Sequence, residues 1–257
     1  MTNRSLMLQA FDDFMSPKVI LMSIFSIFIT ISIIFLLLFF IFDYSGEITE
    51  LIPTVLSGMV DDVFKMIENY PFLSFMLEHK FLMSMLHLLV YLGVGVVTYY
   101  TFFAIYAFVI SFFNIFFIRY IQKKYYTNVE LKGMNIFSSV IFYIKTIIIA
   151  LLLFVVLSLA YLIPAVNLLI FLPIYYFFHK TIVFDVSSVI NTAKEYKKIK
   201  RANWTELKAR TGFCFMLTLI PIVGILLYPY YVLYIGHYVI QETKELRYVN
   251  DFHRIDK

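Results

Sequence analysis

The chain reads as an all-α integral membrane protein with two long transmembrane helices and two re-entrant, half-penetrating helical hairpins. Three observations predict this. Of 257 residues, 61% are hydrophobic and 15% charged, against roughly 25% charged in soluble domains, and mean hydropathy is +0.85. Uncharged runs cover 19–42, 81–118, 146–178 and 211–241, each long enough for the roughly 20 apolar residues of a bilayer-spanning helix. The last two runs carry nearly the same proline phrase, LIPAVNLLIFLP at 162–173 and LIPIVGILLYP at 219–229.

Residues 1–18 read as a short interfacial helix, with Leu6, Met7, Phe11, Phe14 and Met15 at helical spacing and Asp12 and Asp13 opposite. Ser16 and Pro17 break it, because proline disfavours helix in the residue before it and suits the first turn of the next. A transmembrane helix then covers 19–42, too long for the apolar region of a cleaved signal peptide and without an A-x-A site, so it is expected to remain as an anchor. Residues 43–80 form an extracytoplasmic helical connection bounded within by Pro53 and Pro71. Residues 81–126 read as one long, tilted transmembrane helix, in which Gly93 and Gly95 permit close approach of a neighbour. Its end, RYIQKKYY, is an interfacial belt of basic and aromatic residues.

Charge placement sets the rest. Residues 43–80 carry seven acids and two bases, whereas 179–210 carry eight bases and three acids. Short basic loops stay in the cytoplasm, which puts 43–80 outside and the basic amphipathic segment 179–210 inside. Residues 119–132 and the C-terminal Lys244 and Arg247 are also basic. Single crossings by the third and fourth runs would put a basic loop outside; hairpins that leave by the side they entered keep every basic loop in. Hence 146–178 turns at Pro164 and 211–241 at Pro221. Backbone polar groups exposed to hydrocarbon are costly, so both turns must face protein or water.

Function classes narrow accordingly. No nucleophile–base–carboxylate set, phosphate-binding glycine loop or metal-ligand cluster is present, so neither an enzyme, a metal site nor a cofactor is expected, and nothing suggests nucleic acid. Cys214, the sole cysteine, reads as a structural thiol, and His87 and His237 as hydrogen-bonded interhelical histidines. Half-helix N-termini at the turns would offer N–H groups to an anion, with Asn167 and Gly224 three residues after the two prolines as donor and close-approach position. Lys145 and Arg210, just before the hairpins, are candidates for a pore entrance. Trp204 and its basic neighbours suggest an amphipathic helix at the membrane surface.

Residues 162–242, from the first proline phrase through the basic stretch to the second, resemble the C-terminal half of the CysZ-type sulfate permeases of the etoposide-induced-2.4 protein family; FMSPKVILMSIFSIFITISI resembles that family's first-helix start. The resemblance implies a multi-pass protein of the bacterial inner membrane, homo-oligomeric, admitting sulfate or a related inorganic anion for cysteine synthesis. It also implies a Gly-Leu-Arg-type anion motif after the first proline. Aligned on Pro17, that motif falls on Lys18, Val19 and Ile20, so its arginine is replaced by Ile20 and only Lys18 supplies charge. With the turn residues read above, the candidate substrate-binding set is Pro17, Lys18, Pro164, Asn167, Pro221 and Gly224. A non-transporting scaffold or membrane-biogenesis protein of the same family is the alternative.

Overall fold

The computed structural model describes residues 3–41, 54, 57–58, 61–62, 65, 84, 88, 95, 99, 102–103, 105–158, 171–220 and 222–255. Pro164, Asn167 and Pro221 therefore lie outside the described residues, as do His87 and most of the 43–80 connection. Every regular element among the described residues is a helix. The chain divides into two units, Met1–Ser26 with Val109–Lys257, and Ile27–Phe108. In the second, Tyr106 is buried and the Tyr99 and Phe103 rings lie 6.2 Å apart.

The first unit begins with α1 (Asn3–Phe14). Leu6, Ala10 and Asp13 are its buried side chains, whereas Phe11 and Met15 are exposed. This corrects the expectation that Asp13 lies on the polar side: a carboxylate can share an apolar face when every oxygen is met by a partner. α2 (Pro17–Ile41) follows. Ser16 caps it, accepting the Val19 N–H at 3.4 Å, and Pro17 takes the first position, where a missing N–H costs nothing.

A short helix α3 (Ile105–Ser111) meets α4 (Asn114–Tyr125) at a bend of 48°. The long, tilted helix expected over 81–126 is thus bent at Phe112–Phe113, with no proline or glycine to announce it. α5 (Ile136–Ser158) begins ahead of Lys145, so the third apolar segment starts earlier than its uncharged run, and the lysine sits within a helix. Among the described residues, two helical stretches are long and apolar enough to cross a membrane, Pro17–Leu37 and Phe137–Leu157, and the bent pair makes a third if it is one span.

Five more helices follow among the described residues: α6 (Phe171–Ile190), α7 (Ala193–Ala202), α8 (Trp204–Thr218) and the one-turn α9 (Val223–Leu226) lead into α10 (Tyr228–Ile255). α10 is the core element, buried continuously over residues 228–240 and packed against α1, α4 and α6. Gly236 permits its approach to α4, since an added Cβ there would lie 2.6 Å from Ile118 Cδ1 and 3.0 Å from Ile121 Cδ1. α6 in turn carries α5 and α8.

Asp13 joins three of these helices. Its Oδ1 accepts from Lys124 Nζ at 2.7 Å and Tyr125 OH at 3.1 Å, and its Oδ2 lies 2.9 Å from His237 Nε2. His237 Nδ1 reaches the Tyr126 hydroxyl at 3.0 Å, so this histidine is indeed an interhelical bridge. Burial alone would raise the Asp13 carboxyl, but the bonds from His237 and Lys124 outweigh it and hold it below the usual carboxylate value.

α7 is fixed at its start. Thr192 and Glu195 form a reciprocal capping box at its start, and Glu195 Oε1 also accepts from Arg247 Nε of α10 at 2.8 Å. Burial pushes the Glu195 carboxyl up, while Arg247 and Thr192 more than reverse that and bring it down to about 2.

Two predictions follow from these junctions. Asp13→Ala leaves His237 and Lys124 without their acceptor and lowers stability by about 3–5 kcal/mol, read as a drop in thermal midpoint in detergent. Because the folded Glu195 value lies below its ordinary 4.5, its stabilisation is complete above that pH and is lost as pH falls toward about 2. Acid melts of Arg247→Ala accordingly lose part of the wild-type midpoint slope in that window; identical slopes would refute the assignment.

Candidate functional site

α5, α6 and α7 enclose an open groove of about 770 Å³. α5 contributes Phe142, Lys145, Thr146 and Ile149, α6 contributes Tyr176 and Lys180, and α7 contributes Tyr196, Lys197, Lys200 and Arg201, with Trp204 of α8 at the edge. Five lining side chains are cations and none is a carboxylate. The capping box at Thr192 turns the chain so that α7 lies across α6 and α10, burying Tyr196 and Ile199. Spacing of three and four residues then places Lys197, Lys200, Arg201 and Trp204 along a shared face.

Aromatic rings set the lysines. Lys180 Nζ lies 5.4 Å from the Tyr176 ring centre and 5.1 Å from that of Trp204, Lys208 Nζ lies 4.3 Å over Trp204, and Lys200 Nζ lies 5.5 Å over Tyr196. Such contacts favour cations without neutralising them. Burial, with Lys200 and Lys208 nearby, pulls the Lys180 ammonium down to about 8. Burial and the same cations with Lys180 bring His179 to about 4, so it is neutral at physiological pH while its Nδ1 lies 2.7 Å from Thr211 Oγ1. Beside the groove, Tyr143 donates to Asp185 Oδ1. Asp185 is buried, and desolvation raises its carboxyl well above the usual range. The result is a concentration of positive charge whose mutual repulsion an anion would relieve.

The residues singled out in the sequence are distributed differently. Lys145 lines the groove. Arg210 does not: it is buried between α8 and α10, donates to Tyr234 OH at 2.9 Å, pairs with Glu206 at 3.3 Å, and stacks 4.1 Å from the Tyr238 ring centre. Pro17 and Lys18 are exposed at the start of α2, also outside the groove lining. Gly224 is buried in α9, two residues beyond Ile222, whose φ of 68° is rare for a β-branched residue. Cys214 is buried. Lys180, Lys197, Lys200 and Arg201 were attributed to topology from sequence, and Tyr176 and Tyr196 carried no flag. The detectable signal was the T-x-x-E box at 192–195 followed by cations at helical spacing.

No curated protein and no solved structure matches the chain significantly. A family model does match, over residues 6–229, which takes in the groove, α8 and the start of the core helix. Its description is that of a transporter and not of an enzyme. The chain thus belongs to the Sulfate transporter CysZ/Etoposide-induced protein 2.4 family.

Proposed function

We propose that this protein is a permease or channel of the bacterial inner membrane, assembled as a homo-oligomer, that admits sulfate or a related oxyanion for sulfur assimilation. The observation that carries this reading is the groove, where five cations from three helices meet without a lining carboxylate. Cations in a concave, partly apolar site raise the local concentration of anions and replace part of their hydration shell. Lys145 then serves as an entrance residue, and Arg210 holds α8 against α10. The interruption of the fourth apolar run between α8 and α9 supports a re-entrant turn there, because α8 and α10 both pack on α6. Pro17, Lys18, Pro164, Asn167, Pro221 and Gly224 are the positions that complete the proposed path.

Radiolabelled sulfate flux into liposomes tests this. Wild-type protein gives saturable entry, and Lys180→Glu with Lys200→Glu lowers it by roughly tenfold or more, as expected for losing one or more charge-assisted bonds of about 1.5–3 kcal/mol. Lys198→Ala, outside the groove lining, leaves it unchanged. No flux from well-folded protein would favour a non-transporting scaffold.

Trp204 is the only tryptophan and stands at the groove, so its emission reports occupancy. Sulfate titrations are expected to weaken as pH rises through about 8, where Lys180 loses its proton. Lys180→Ala removes that break; a wild-type affinity independent of pH from 7 to 9 would contradict the role given to Lys180.

A further inference from the structure

The break at Phe112–Phe113 divides an uncharged stretch and starts α4 with no side-chain cap. Both Phe116 and Phe117 N–H groups turn to the Phe113 carbonyl, at 2.9 and 3.3 Å. The amides of Asn114 and Ile115 head the helix, where backbone N–H groups have no intrahelical acceptor. Asn114 itself is 1% exposed, and neither its Nδ2 nor its Oδ1 finds a hydrogen-bond partner among the described residues. It shares the buried face of α4 with Phe117, Ile118 and Ile121. Since Ile118 and Ile121 press on Gly236 of α10, the Asn114 amide turns inward, one helical turn nearer the break. A buried amide with all its donors unused is uncommon and calls for a ligand or strain as its explanation.

We infer that this break is a second anion-binding station, set within the apolar stretch, where Asn114 Nδ2 and the leading amides of α4 hold an inorganic oxyanion. The inference rests on the oxyanion-permease reading for its ligand class. Neutral N–H donors at a helix start favour negative charge through the helix dipole without a neutralising cation, so an anion that leaves the lysines is held here without being trapped. The station lies five residues inside Arg119 along α4, about 7.5 Å at helical rise.

Ser111, the last residue of α3, gives a probe that leaves Asn114 intact. Ser111→Cys in a Cys214→Ala background carries a single thiol, to be labelled in liposomes by a small anionic methanethiosulfonate. Labelling from water that sulfate slows severalfold, and gluconate at equal ionic strength does not, is the expected result; adding Asn114→Leu removes the protection. No labelling, labelling indifferent to sulfate, or protection that survives Asn114→Leu overturns the station. The readout needs no transport. Absent wild-type flux with Asn114-dependent protection would sink the permease reading alone, and flux with sulfate-indifferent labelling would sink the station alone.

Discussion

The first unit depends on one buried carboxylate. Asp13 holds α1, α4 and α10 together through Lys124, Tyr125 and His237, and α10 is the helix on which α1, α4 and α6 pack. Burying an ionised carboxylate is costly unless its oxygens are fully met. Here they are met by groups from two other helices, so the junction forms only when all three are in register. That dependence makes Asp13 a device for specifying one arrangement among apolar helices whose faces are otherwise interchangeable.

The groove has the opposite electrostatics. Lys145, Lys180, Lys197, Lys200 and Arg201 converge without an acidic partner in the lining, a configuration the fold has to hold against repulsion. The restraint comes from outside the groove. Glu195 caps α7 and pairs with Arg247, while Tyr196 and Ile199 anchor its other face. Site and scaffold therefore divide the labour on one short helix: its buried side fixes position, and its open side presents charge.

Much of the architecture was legible in the sequence. The helical class, Ser16–Pro17 as the end of one helix and start of the next, and the apolar stretch from Pro17 follow from local rules that need no tertiary context. Asp13 was misplaced because periodicity sorts residues by polarity and is blind to a distant Lys124 or His237. Arg210 read as an entrance because nothing local to it reveals Tyr234 and Tyr238 from another helix. The groove lysines were hidden by their own plausibility as topology signals, since basic residues inside a cytoplasmic segment have a sufficient explanation without a ligand. The break at Phe112–Phe113 had no glycine or proline to mark it, and the Asn114 amide, without a hydrogen-bond partner among the described residues, draws attention there once the fold is known.

Diffraction from crystals grown with selenate, whose selenium scatters anomalously, tests most directly that this protein holds an oxyanion where the cations converge. The account predicts an anomalous peak within hydrogen-bonding reach of Lys180 and Lys200, lost in the Lys180→Glu, Lys200→Glu variant. Selenate found only elsewhere, such as beside Pro17 and Lys18, with none in the groove at saturating concentration, would contradict it.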